Sequence, residues 1–193
     1  MLEARLAEPT GSPRGGAVVC HPHPEYGGSM DNDVVVAAAR GCLDAGWSAL
    51  RFNFGGVGAS GGQYSGGPEE VDDVIVAASA LRERLPPDAA LAIVGYSFGA
   101  WVGAQAAVRT AGVAALVAIA PPMRVFGWDF ASGLATRVVV IAGDRDLFCP
   151  RVRLSALLSA TGAEHVVLEG ADHFLAGWDV EVALAVRDRL EAG

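Results

Sequence analysis

The feature that most limits how this chain can fold is a set of short segments that are apolar at nearly every position, at residues 17–20, 91–95, 113–120 and 137–142. A strand with one wetted face alternates apolar and polar residues, whereas a strand covered on both faces reads as an unbroken apolar run. Residues 48–54 alternate in part, and residues 165–168 form one more short run. Stretches of helical character lie between them at 33–45, 69–85, 97–110, 150–160 and 179–191. The 69–85 stretch has acids in its first turn and arginines in its last, as the helix dipole favours, and Pro86 and Pro87 stop it. Strand and helix thus alternate from near the start to the end. The pattern predicts an α/β fold, a three-layer α/β/α sandwich around a mostly parallel central sheet. With 193 residues, the chain is expected to form one domain over residues 1–193, large enough to need neither a disulfide nor a metal for its core.

Charge and composition narrow the chemistry. There are 14 basic and 22 acidic residues, a net charge of −8, which argues against nucleic acid as a partner. Every basic residue is arginine. Without lysine there is no P-loop lysine, no Schiff base and no serine–lysine dyad. The three cysteines, Cys20, Cys42 and Cys149, are odd in number and far apart, which suggests a reducing compartment. The first residues lack the apolar core of a signal peptide, and the apolar stretch at 113–120 is far shorter than the ~20 residues of a spanning helix. A cytoplasmic protein with no membrane partner is expected.

Gly95-Tyr96-Ser97-Phe98-Gly99 matches G-x-S-x-G. It follows an apolar strand and opens a helix, the setting of a nucleophile elbow. So tight a turn strains the serine backbone and lifts its hydroxyl clear of the sheet, and Cβ atoms at 95 and 99 would collide with neighbouring elements. The new helix directs the Phe98 N–H at the reacting centre, where it can donate to an oxyanion. A serine acting only as a helix cap is the plain alternative.

The partners of such a serine follow in the order acid, then histidine, each at the end of a later strand. Asp144 and Asp146 follow the strand at 137–142, and His173 follows the strand at 165–168. Asp146 is preferred, because Asp144 comes directly after the turn glycine Gly143 and can serve the turn. Expected roles are Ser97 as nucleophile, His173 as proton carrier and Asp146 as the group that fixes its tautomer.

These segments, together with residues 20–32 (Cys-His-Pro-His-Pro-Glu-Tyr-Gly-Gly-Ser-Met-Asp-Asn) and 51–61 (Arg-Phe-Asn-Phe-Gly-Gly-Val-Gly-Ala-Ser-Gly), carry a resemblance. The chain resembles a small, cap-less bacterial hydrolase of the α/β-hydrolase superfamily, near the dienelactone-hydrolase-like branch. One position departs from the pattern: Gly55 stands where similar sequences carry arginine. The resemblance implies a second oxyanion-hole amide from the loop after residues 17–20, by alignment at His23. Pro22 and Pro24 have no N–H, which leaves His23 or Glu25. The family's cap normally enters at the gap occupied here by residues 121–136, which has no room for a domain. The resemblance therefore implies an open, shallow site, with Tyr26, Met123, Phe126, Trp128 and Phe174 as candidate walls.

Rival readings stand beside this one. His21 and His23 could be a metal pair in a metal-dependent hydrolase, but no further ligands follow at metal-site spacing. Gly56-Val57-Gly58-Ala59-Ser60-Gly61 satisfies the dinucleotide pattern G-x-G-x-x-G, yet the glycines and Pro68 that follow cannot open a helix. A non-catalytic binding protein on the same scaffold is the third. The favoured expectation is a serine esterase acting on small or accessible acyl esters or thioesters, a small-molecule substrate, with no cofactor and no metal.

Overall fold

The structure, a computed structural model, describes residues 1–192. Its centre is a sheet of strands β1 (Ala4–Ala7), β2 (Gly15–Cys20), β3 (Trp47–Phe52), β4 (Ala90–Tyr96), β5 (Val113–Ile119), β6 (Arg137–Gly143) and β7 (Glu164–Leu168). Helices α1 (Asp33–Asp44), α2 (Pro68–Arg82), α3 (Phe98–Arg109), α4 (Arg151–Thr161) and α5 (Asp179–Glu191) cover it. The strand order is β1-β3-β2-β4-β5-β6-β7, and all pairings are parallel except β1 with β3.

The unbroken apolar runs have the predicted cause. Successive strand residues face opposite sides, and both sides are buried. Val19, Val94, Val117 and Val139 pack with Val35 of α1 and Val182 and Val186 of α5. Their neighbours Val18, Ile93, Leu116 and Val138 pack with Val74 and Leu81 of α2 and Val102 of α3. Helix α4 lays Leu154 and Leu157 against Val140 and Ala142.

Differences from expectation are local. Strand β1 has no sequence signature, because it is a four-residue edge with only Leu6 partly buried. Strand β3 stops at Phe52, not at 54, because histidine and backbone partners capture the next two residues. Asn53 N donates to Glu3 O, and Phe54 N donates to His21 Nε2. Helix α2 ends at Arg82, and residues 83–85 continue as tightened turns, with Arg84 N on Leu81 O and Leu85 N on Arg82 O. Residues 120–136 hold one short 3₁₀ turn, Asp129–Gly133, and no cap.

The strand-to-helix turn at Ser97 depends on two close approaches. A Cβ at Gly95 would overlap the backbone of Gly99 and Ala100, so β4 and the first turn of α3 touch backbone to backbone. A Cβ at Gly99 would overlap the carbonyl oxygens of Cys20 and His21, so α3 also abuts the end of β2. Carbonyls held in a central strand cannot retreat as a flexible side chain can. Gly99→Ala should therefore destabilise the protein by about 2–3 kcal/mol, at the upper end of what overpacking a core costs. A denaturant midpoint unchanged from the parent would contradict that reading.

Candidate active site

Ser97 sits between β4 and α3 with φ 53° and ψ −117°, a conformation few residues other than glycine adopt. Its backbone is held by Ser97 N donating to Ile119 O at 2.9 Å, and its carbonyl receives Ala100 N and Trp101 N from the first turn of α3. Ser97 Oγ lies 2.9 Å from His173 Nε2. His173 Nδ1 lies 3.1 and 3.0 Å from the two carboxylate oxygens of Asp146. A carboxylate accepts, so Nδ1 carries the proton and the Nε2 lone pair faces the serine hydroxyl.

Asp146 is oriented by more than the histidine. Its Oδ1 also accepts from Phe148 N at 2.8 Å and Cys149 N at 3.1 Å, and its side chain is fully buried. Asp144 takes the other role foreseen for this pair: its Oδ1 accepts from Gly170 N and ties the β6 turn to the segment after β7. Tyr96 is a functional residue with no local signal in the amino-acid pattern to single it out. Its hydroxyl donates to His173 O at 3.1 Å and Phe174 O at 3.3 Å, so it holds the histidine loop over the sheet. Burial, reinforced by Asp146 and Asp172, pushes the Tyr96 phenol up to about 12, so it remains a donor.

The two histidines of residues 20–26 part company. His21 is buried, with Nδ1 donating to Pro22 O at 2.6 Å and Nε2 accepting from Phe54 N at 3.1 Å. It ties the end of β2 to the end of β3. His23 is partly exposed, with Nδ1 accepting from Glu25 N at 3.3 Å and Nε2 2.9 Å from the Tyr64 hydroxyl. Both nitrogens of each ring thus have protein partners. Among the described residues, no three His, Cys, Asp or Glu side chains gather as metal ligands. Glu25 N is engaged with His23 Nδ1, whereas no acceptor within the described residues takes the His23 N–H. The Phe98 N–H, at the start of α3, likewise meets no acceptor among the described residues.

Above Ser97 is an open cavity of about 510 Å³, lined by His23, Tyr26, Phe126 and Phe174 among the foreseen residues. Met123 and Trp128 do not reach it, which corrects the expectation from sequence. Met123 is fully buried among Ala142, Cys149 and Leu157. Trp128 stacks on Phe130, and both Met123 and Trp128 line a separate cavity of about 450 Å³ against α4. Both pack into the small core formed with Ala131 of the 3₁₀ turn and Leu154 and Leu157 of α4, away from the serine. Phe148, Val125, Pro122 and Asn32 complete the wall in their place. Phe148 lies next to Cys149, in the segment that carries Asp146, and its ring is 4.5 Å from that of His173. Its position two residues past the acid was the available signal.

The glycine-rich segment opens no helix before α2 at Pro68, which removes the dinucleotide reading. Lacking arginine at 55, the loop is held by Gly55 N donating to Asp73 Oδ2 and by Glu3 Oε2 accepting from Asn53 Nδ2 and Ala59 N.

Burial pushes the His21 ring from its ordinary 6.5 down to about 4, against a smaller opposing effect of the Pro22 carbonyl. The unfolded chain therefore binds a proton between those values that the folded protein refuses. The His21 contribution is complete above pH 6.5 and is lost as pH falls toward 4. Thermal midpoints should fall across that window, and His21→Gln should flatten part of the slope. Equal slopes for parent and variant would refute the assignment.

Comparison with known proteins agrees with this architecture. A family model described as alpha/beta hydrolase domain matches residues 17–179. An uncharacterised protein of Rickettsia prowazekii is 33% identical over 98% of this chain and 84% of its own length. A structure from Coxiella burnetii, described as an α/β serine hydrolase homologue, is 32% identical, with a TM-score of 0.88 over 98% of this chain and 91% of its own. One from Xanthomonas campestris, described as an α/β serine hydrolase without lid, is 31% identical, with a TM-score of 0.88 over 99% of this chain and 88% of its own. The topology, the elbow at Ser97 and the short 120–136 segment place this chain in the α/β hydrolase family, as a cap-less hydrolase.

Proposed function

We propose that this protein is a serine hydrolase of the carboxylic-ester class (EC 3.1.1) that cleaves small or accessible acyl esters or thioesters through an acyl-Ser97 intermediate. The observation that carries the proposal is one unbroken hydrogen-bonded path, Ser97 Oγ to His173 Nε2 and His173 Nδ1 to Asp146, opening on an apolar cavity. The descriptions of the Coxiella structure as a serine hydrolase homologue and of the Xanthomonas structure as a serine hydrolase without lid support it.

In the first half-reaction Ser97 Oγ attacks the acyl carbon while its proton passes to His173 Nε2. The acyl oxygen becomes an oxyanion and accepts from the N–H groups of Phe98 and His23. Asp146 holds the imidazole in the reactive tautomer and stabilises the imidazolium. Collapse expels the alcohol or thiol, which takes the proton from Nε2. Water then attacks acyl-Ser97, gives a proton to Nε2, and the acid departs as the proton returns to Oγ. Each step uses side chains, main-chain donors and water.

A fluorophosphonate probe should form a covalent adduct on Ser97 in the parent and none in Ser97→Ala. With p-nitrophenyl esters, Asp146→Asn should lower kcat by about 10³–10⁴-fold, the scale set by losing the correct tautomer. Acetate and butyrate esters should react faster than long-chain esters. A parent that neither takes the probe nor hydrolyses any ester is a binding protein on this scaffold. Faster turnover of long chains would overturn the substrate class alone.

A further inference from the structure

The dinucleotide-like glycine loop, residues 53–67, has no part in the chemistry above. At its far end it nevertheless reaches the loop that bears His23. We infer that Tyr64 is a positioning residue for the oxyanion hole: its hydroxyl holds the His23 ring so that the His23 main-chain N–H stays turned toward the acyl oxygen. The inference rests on the acyl-serine reading and adds a residue that acts through His23.

The hydrogen-bond directions follow from elementary chemistry. A backbone N–H can only donate, so Glu25 N at 3.3 Å fixes His23 Nδ1 as the acceptor. The neutral ring then carries its proton on Nε2, which donates to the Tyr64 hydroxyl oxygen at 2.9 Å. The ring is thus pinned at both nitrogens, one to its own turn and one to the glycine loop. The carbonyl of His23 is pinned as well, accepting from Tyr26 N and Gly28 N. With Pro22 and Pro24 on either side, the peptide carrying the His23 N–H has little freedom beyond what these bonds control.

Tyr64 is itself well placed to act as a fixed post. Next to it, Ser65 gives both its N–H and its hydroxyl to Glu70, and Gly67 N donates to the same carboxylate. Glu70 is fully buried on the first turn of α2. On the other side, Gly56 N donates to Gly61 O and closes the loop. The Tyr64 ring also lies 4.9 Å from the His23 ring and 5.9 Å from that of Phe98, the neighbour of Ser97. Removing only the hydroxyl keeps this ring packing and leaves Nε2–H without its partner.

The test compares the parent, Tyr64→Phe, His23→Ala and the double variant. The readouts are kcat and KM on p-nitrophenyl butyrate, the inhibition constant of a trifluoromethyl ketone that forms a tetrahedral oxyanion on Ser97, and the thermal midpoint. Tyr64→Phe should lower kcat about tenfold and weaken the ketone by the same factor, with KM within about twofold, because the lost alignment matters only once the oxyanion forms. His23→Ala keeps the main-chain N–H but removes the ring, so adding Tyr64→Phe to it should cost nothing more. The inference is overturned if Tyr64→Phe leaves kcat and ketone affinity unchanged, if its loss appears in KM alone, or if the two effects multiply in the double variant. A parent that fails to take the fluorophosphonate probe overturns the acyl-serine reading and this inference together. An active parent with an unaffected Tyr64→Phe overturns this inference alone.

Discussion

The site is organised by a contact with no side chains in it. At Gly99 the first turn of α3 rests on the carbonyl oxygens of Cys20 and His21 at the end of β2. That approach places the free N–H groups of a helix start beside the 20–26 loop, in front of the same serine. A methyl group at 99 would push the helix away from the strand, and the two main-chain donors would separate. The strained backbone of Ser97, costing on the order of 1–3 kcal/mol, persists because the surrounding sheet and helix leave it no other conformation.

Around this fixed contact the polar side chains are arranged in tiers. Asp146 receives the imidazole and two main-chain N–H groups in a fully buried setting, so its orientation is set before any substrate arrives. Tyr96 leaves the nucleophile turn to hold the loop of the histidine that faces its neighbour, joining β4 to the segment after β7. His21 ties β2 to the end of β3 from beneath. Segments from distant parts of the chain are thereby braced in pairs, each by one or two hydrogen bonds. Each such bond is worth only about 1 kcal/mol net, and its larger effect is on geometry.

Much of this was legible in the residues. Unbroken apolar runs disclosed a sheet buried on both faces, because residues as close as Val18 and Val19 really do meet opposite helices. The glycines flanking Ser97, and the placement of Asp146 and His173 at strand ends, disclosed which side chains would meet. What periodicity could not disclose was direction within irregular segments. Met123, Phe126 and Trp128 lie within six residues, yet only Phe126 lines the cavity above the serine, because the other two pack with Leu154 and Leu157 of α4. The four residues of β1 escaped notice for a related reason: an edge strand half in water carries no apolar signature. Tyr96 and Tyr64 act through hydroxyls whose partners lie 77 and 41 positions away, and no local pattern encodes such distances.

The wall of the cavity above Ser97 contains aromatic rings, prolines, a valine and an asparagine, but no aspartate, glutamate or arginine. An ionic group carried into that space would shed water and meet no counter-charge, an outcome that burial of charge makes expensive. On the acyl-ester reading proposed above, a substrate with a carboxylate or phosphate beside the scissile bond would have to keep that group at the open mouth, whereas a neutral acyl chain meets a wall of matching polarity.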